Sequence, residues 1–287
     1  MLWFSLALIT ALVVAGRDVS VKVLKDLQPL EIAGLELFWS LPILTVGCLL
    51  IPIPTLDQTF WWNFILSFPL NITAYFLYLY AIKHSPISLT VPLLALTPVF
   101  MIMTGWLILG EKINLWGGAG IFLIFIGSYT INFNRSQNNY FTPFTAIFDD
   151  RGSRFMMIVA FIFAFAAVLG KQGMIHSSPL FFSFFFFLIF NIVILLALFL
   201  AGNLRLPEIL TGYKKGIWLG SLLVTHIGCH GLAISISPAV YMVAVKRSSI
   251  LFSVLLSWLI LHEGEKKTRG LGTLLMFAGV LLITLLG

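Results

Sequence analysis

Residues Ser237–Glu263 read SPAVYMVAVKRSSILFSVLLSWLILHE, an apolar run long enough to cross a bilayer that carries Lys246 and Arg247 side by side in its interior. As one helix from Pro238 to His262 it would span roughly 37 Å, at about 1.5 Å per residue. Lys246 would then lie roughly 12 Å in from the Pro238 end, inside a hydrocarbon layer of about 30 Å. A cation at such depth costs on the order of 2.5–3.5 kcal/mol, so an adjacent pair needs something to offset it. Three offsets are open: headgroups reached by snorkelling along the apolar stems, an internal ion pair, or a polar cavity with an anionic occupant. The spacing favours the cavity, because Lys246, Ser249, Ser253 and Ser257 fall on one face of a continuous helix. Arg247 would lie about 100° round from that face. Tyr241, on the same span, joins these as a candidate substrate-binding residue.

Working outward, the whole chain has the same character. Of 287 residues 60% are hydrophobic and 10% are charged, against about 25% charged in a soluble domain. So much apolar surface can be buried only in lipid. Runs such as LFFSFFFFLIF (Leu180–Phe190) do not alternate as a membrane β-barrel requires, so the fold class is all-α and polytopic. Cys48 and Cys229 both lie in apolar segments and imply no disulfide framework. The net charge of +6 is scattered over short loops, never as a basic stripe with aromatics, which argues against a nucleic-acid partner. The opening MLWFSLALITALVVAG lacks the basic start of a signal peptide and reads as the first membrane helix.

Apolar windows give ten spans, near 2–23, 30–51, 60–82, 86–110, 114–132, 154–175, 179–201, 214–234, 238–262 and 268–286. The polar stretch around 136–153 divides the chain into 1–135 and 154–287, and the halves repeat. Shifted by 152 positions, Ala81–Ile131 aligns with Ala233–Ile283 without a gap, at 17 identities in 51 positions. Ser85-Pro86 falls on Ser237-Pro238, the WLIL of residues 106–109 on that of 258–261, and Glu111 on Glu263. Gly118, Gly120 and Gly127 fall on Gly270, Gly272 and Gly279. Five spans per copy is an odd number, so the second copy enters the membrane in the opposite sense. That is the inverted-repeat architecture of secondary transporters, whose substrate sites lie near midplane between the repeats.

The paired SP…WLILxE…GxG…G pattern resembles the ten-helix EamA-type permeases of the drug/metabolite transporter superfamily, over essentially the whole chain. The resemblance implies a central cavity lined by the third, fourth, eighth and ninth spans. It also implies alternating access and export of small metabolites across a bacterial inner membrane. Members of this family often carry an arginine about seven residues after a proline early in the second helix, whereas here Glu36 follows Pro29 at that distance. Glu36 is therefore a candidate counter-charge for Lys246 or Arg247, or a carrier of a coupling proton, with Asp18 as a second candidate. The Lys-Arg pair also resembles the ninth helix of the plastid sugar-phosphate translocators, but their further lysine in the fourth helix has no counterpart here. Carboxylate-bearing substrates fit that difference better than phosphates.

The remaining polar residues extend the candidate set. His226 and His230 are spaced i, i+4 in the eighth span, suited to a cavity-lining or proton-handling pair; no HExxH glutamate lies between them, and no metal or other cofactor is implied. Asn71, Tyr75 and Tyr78 share one side of the third span and are placed on the cavity. Asp18 and Lys22 are i, i+4 and favour a local salt bridge, with Lys22 and Lys171 as candidate gate residues. The phenylalanines of the seventh span read as a lipid-facing surface. Connections after odd-numbered spans carry twelve Lys or Arg, from Lys22 to Arg269, against Lys112 and Lys171 on the other side. By the positive-inside rule both termini would then face away from the cytoplasm, the reverse of what the family resemblance implies. The absence of a GxxxxGK[ST] loop excludes an ATP-driven pump on this chain alone. A secondary transporter of small polar, preferably anionic, metabolites leads. Its expected partners are the substrate, membrane lipid and an optional coupling proton, with assembly open between monomer and homodimer. Export of neutral or zwitterionic compounds is the alternative, and an intramembrane metal enzyme the distant one.

Overall fold

A computed structural model describes residues 2–24, 26–85, 91–132, 150–261 and 269–287. The inter-repeat stretch up to residue 149 and Glu263 lie outside them. Among the described residues every regular element is helical. The helices are α1 (Leu2–Val23), α2 (Pro29–Leu50), α3 (Gln58–His84), α4 (Thr97–Leu109), α5 (Leu115–Asn132), α6 (Arg151–Ile175), α7 (Pro179–Leu200), α8 (Tyr213–Ser235), α9 (Ala239–Lys246), α10 (Ser249–Leu261) and α11 (Arg269–Leu286). A 3-10 turn at Val91–Leu96 leads into α4, and a six-residue helix, Leu206–Thr211, precedes α8. Six of these helices are long and apolar enough to cross a bilayer, and the rest include shorter apolar helices. A polytopic helical membrane protein is thus the fold the sequence demands. Proline or a side-chain cap sets several starts: Pro29 opens α2, Ser178 Oγ accepts from Phe181 N at 3.3 Å, and Asp57 Oδ1 accepts from Phe60 N at 2.8 Å.

The chain forms two compact units, each drawing on both halves of the sequence. The first comprises Met1–Trp61, Gly173–Ile236 and Ser249–Glu263. Inside it α2 and α8 approach so closely that a Cβ on Gly220 would sit 2.7 Å from the backbone of Trp39 and Ser40. Leu44, Val224 and Ile227 form a core packed by Phe184 and Phe187. The α7 phenylalanines correct the expectation of a lipid surface: Phe181, Phe182, Phe186 and Phe190 are all buried. At spacings of four they stack on one another, Phe182 on Phe186 at 5.6 Å and Phe186 on Phe190 at 6.2 Å, and they close on Phe60. In lipid, where apolar burial alone distinguishes no face, such packing decides orientation. Asn191, midway along α7, donates to Ser40 Oγ at 2.8 Å and ties α7 to α2.

The second unit comprises Trp62–Gln172, Ser237–Ser248 and Gly264–Gly287. Its most extensive helix pair is α5 with α11. A Cβ on Gly120 would meet the Gly279 carbonyl at 2.7 Å, and one on Gly127 the Gly272 carbonyl at 2.6 Å. Gly272 and Gly279 are the repeat counterparts of Gly120 and Gly127, each 152 positions on. The helices therefore run antiparallel, and each glycine meets the counterpart of the other. Residue i on j and j on i is the signature of a two-fold relation, which is what inverted repeats require. A second cluster of Ala74, Ala81, Leu93, Met156 and Val159 packs α3 against α6 and the 3-10 turn.

Candidate functional site

The stretch around Lys246 is not one helix. After α9 ends at Lys246 the backbone tightens, with Arg247 N bonding Ala244 O at 3.0 Å and Ser248 N bonding Val245 O at 2.9 Å, before α10 starts at Ser249. These three-residue bonds interrupt the helix at Arg247–Ser248. The single continuous helix that the sequence expectation assumed is therefore corrected to two; the side chain of Ser257 lies outside the described set. The first repeat breaks at the equivalent place. Its 3-10 turn ends at Leu96 and α4 runs Thr97–Leu109, against Ser249–Leu261 for α10, so both helices start and stop 152 positions apart. Discontinuous helices of this kind form the substrate sites of inverted-repeat transporters.

Arg247 projects from the break in the second repeat to the helix start in the first. Its Nη2 donates to Thr97 Oγ1 at 3.1 Å, while its Nε is buried and has no partner among the described residues. Lys246, in the last turn of α9, is held near the negative end of that short helix. Neither cation forms an ion pair with a described carboxylate. Arg247 thus sits at the N-terminal end of α4 with Lys246 next to it in the chain, and no described carboxylate pairs with either. Such an arrangement can hold an anionic group, Arg247 with a planar donor fork and Lys246 with a point charge. Thr97 was missed in the sequence. The signal for it was its place as the counterpart of Ser249.

The other candidates fall elsewhere. Glu36 is buried and takes Arg17 through both oxygens, Nε to Oε1 at 2.5 Å and Nη2 to Oε2 at 2.6 Å. Its counter-charge is therefore Arg17, not the Lys-Arg pair, because two parallel bonds to a guanidinium occupy the carboxylate. Asp18 accepts from Ser253 Oγ at 3.0 Å, joining α1 to α10; the side chain of Lys22 lies outside the described residues. Lys171 is 7% exposed, bonded to Glu111 and, at 2.5 Å, to the Ser237 carbonyl. The second oxygen of Glu111 accepts from Ala239 N at 2.9 Å. Lys171 and Glu111 together clamp the first turn of α9, which places Lys171 in a fixed contact and not at an open gate. Glu111, just past the end of α4, thereby serves a structural role.

Tyr241 is buried with its hydroxyl against Gly117, where a Cβ would find no room. It is a packing residue of α9 on α5, a correction to its reading as a substrate contact. Asn71 donates to its own helix, to Ser67 O at 2.8 Å, and Tyr78 packs against the α3–α6 core. His226 and His230 lie edge to face with ring centres 5.7 Å apart. Among the described residues no third His, Cys, Asp or Glu joins them as a metal set.

The model of the EamA-like transporter family matches residues 1–133 and 151–285. No curated protein matches the chain. A solved structure, titled only as the crystal structure of a protein, is similar over 99% of this chain and 96% of its own, with a TM-score of 0.77 at 13% identity. That likeness concerns the fold alone. The resemblance to sugar-phosphate translocators finds no support in these comparisons.

Proposed function

The chain belongs to the EamA-like transporter family and is a membrane transporter of small molecules, and on that premise we propose that it carries small polar metabolites bearing a carboxylate, bound through Lys246 and Arg247. The observation that supports this reading is the buried, unpartnered Nε of Arg247 beside a lysine with no carboxylate neighbour among the described residues. A buried donor left unmade costs about 1–3 kcal/mol, more for a charged group, and an anionic substrate would remove that cost. The break between α9 and α10, mirrored at Leu96–Thr97, supplies the backbone irregularity at which such sites form. Alternating access and export follow as the mode of action, in a bacterial inner membrane. Glu36 and Asp18 remain the candidates to couple a proton. The alternative cargo, neutral or zwitterionic compounds with Glu36 neutralising the pair permanently, loses support because Arg17 holds Glu36.

The test is flux of a labelled metabolite panel through liposomes reconstituted with the protein, with and without a pH gradient. Monocarboxylates, dicarboxylates and acidic amino acids should move, and uncharged analogues of equal size should not. Preferential transport of the uncharged set would contradict the proposal. We further propose, on the loop charges, that both termini lie outside the cytoplasm; a reporter fused after Gly287 should then be active there, and a reporter active in the cytoplasm reverses that orientation.

A further inference from the structure

At one end of the first unit a cleft of about 650 Å³ opens between the α1–α2 turn, the start of α2 and the Leu206–Thr211 helix. Its apolar wall is Leu27, Leu35 and Leu204, and its rim carries Arg205, Lys214 and Lys215. We propose that this cleft is a binding site for an anionic membrane phospholipid, with the phosphodiester held by the lysines and the upper acyl chain against the leucines.

The charge at the rim is available for a ligand. Two carboxylates also line the cleft, but Glu31 accepts from the Gln28 backbone at 2.9 Å and Glu208 faces Arg205 at 3.6 Å. Lys214 and Lys215 are exposed and pair with no described carboxylate; Lys214 Nζ stands 6.0 Å from the Tyr213 ring. With Arg205 facing Glu208, the two lysines outweigh Glu31 and leave the rim positive.

The depth suits a lipid headgroup. Lys214 and Lys215 lie in the first turn of α8, one of the six membrane-length helices. Just below them Ile217 and Trp218 are 46% and 56% exposed, and Trp218 donates to Ser20 Oγ at 2.9 Å. Such an aromatic marks the membrane interface. The Leu206–Thr211 helix is also built for that level: Leu206 and Leu210, at i and i+4, are exposed, while Ile209 is buried. Trp39 Nε1 fastens this helix to α2 by a 3.2 Å bond to Ile209 O. Gly34 lets Leu204 lie on α2, where a Cβ would come within 2.7 Å of it. The cleft is thus preformed, lined by leucines on one side and by Arg205, Lys214 and Lys215 on the other, which matches an acyl chain joined to an anionic headgroup. A soluble phosphate would use the lysines but not the leucine wall.

The experiment uses the full chain purified in a neutral detergent. Thermal unfolding and native mass spectrometry are run with phosphatidylglycerol and with phosphatidylcholine of the same acyl chains, and with glycerol phosphate and inorganic phosphate. Phosphatidylglycerol should raise the melting temperature and remain bound, with phosphatidylcholine and the soluble phosphates well behind. In Lys214→Gln/Lys215→Gln the phosphatidylglycerol affinity should drop roughly 5–30-fold, as two basic residues near an anionic surface predict. Arg205→Gln, at a side chain 79% exposed, leaves the packing intact and should give a smaller loss in the same direction. Equal binding of both lipids, a soluble phosphate that matches the lipid, or variants that bind like the parent would each overturn the proposal.

Discussion

Arg17 and Glu36, 19 residues apart, form a two-bond ion pair between α1 and α2, at 2.5 and 2.6 Å. The Glu36 side chain is 3% exposed and that of Arg17 38%. Breaking a buried pair from one side leaves an uncompensated charge, at roughly 3–5 kcal/mol; the partial exposure of Arg17 moves the expectation to the low end. Arg17→Met should therefore lower the melting temperature markedly, and adding Glu36→Gln should restore most of it. A double-mutant cycle on thermal unfolding measures the coupling, and additive losses would show that the pair contributes nothing jointly.

The α5–α11 contact predicts a difference between two glycines of one helix. Gly127→Ala places a Cβ within 2.6 Å of the Gly272 carbonyl and should destabilise by about 1–3 kcal/mol, as overpacking does. Gly118→Ala meets nothing within 4 Å and should be neutral or slightly stabilising. Thermal unfolding in detergent separates them; equal effects would contradict the close crossing.

Asp57 sets an acid-range dependence. The Phe60 backbone N–H and the neighbouring His176, 2.7 Å away, hold its carboxyl below the ordinary carboxylate value although partial desolvation opposes them. A depressed folded value means the carboxylate contributes stability above the unfolded value, about 3.9, and loses it as pH falls through the lower folded value. Asp57→Asn should thus be less stable than the parent at neutral pH, with the gap closing below about pH 4. A gap unchanged down to pH 2 would mean that the charge plays no part in the cap.

The architecture was legible because hydropathy, odd span number and the 152-residue repeat all point the same way. The break at Arg247–Ser248 was not, since no glycine or proline marks it in the second repeat. The signal lay in the first repeat, where Pro92 and Pro98 flank the equivalent position. Lys246 and Arg247 are the conspicuous cations for Glu36 by chemistry, yet Arg17 and Glu36 are equidistant from the Asp26-Leu27 turn, as hairpin neighbours must be. The Lys171–Glu111 clamp joins residues 60 positions apart. It follows from packing that no local pattern encodes. Tyr241 looked like a ligand contact by chemistry alone, and only Gly117 beneath it shows why it packs instead.

In the mechanism proposed above, Lys246 and Arg247 hold the anionic group of the substrate. The most direct measurement of this is equilibrium binding of the best carboxylate from the flux panel to purified parent and Lys246→Met protein, with thermal unfolding run alongside to show that the variant is folded. Removing one member of a desolvated charge contact costs about 2–5 kcal/mol, so Kd should rise roughly 30-fold or more, while binding of an uncharged analogue stays unchanged. A Lys246→Met protein that is folded and binds the carboxylate as tightly as the parent would contradict the account.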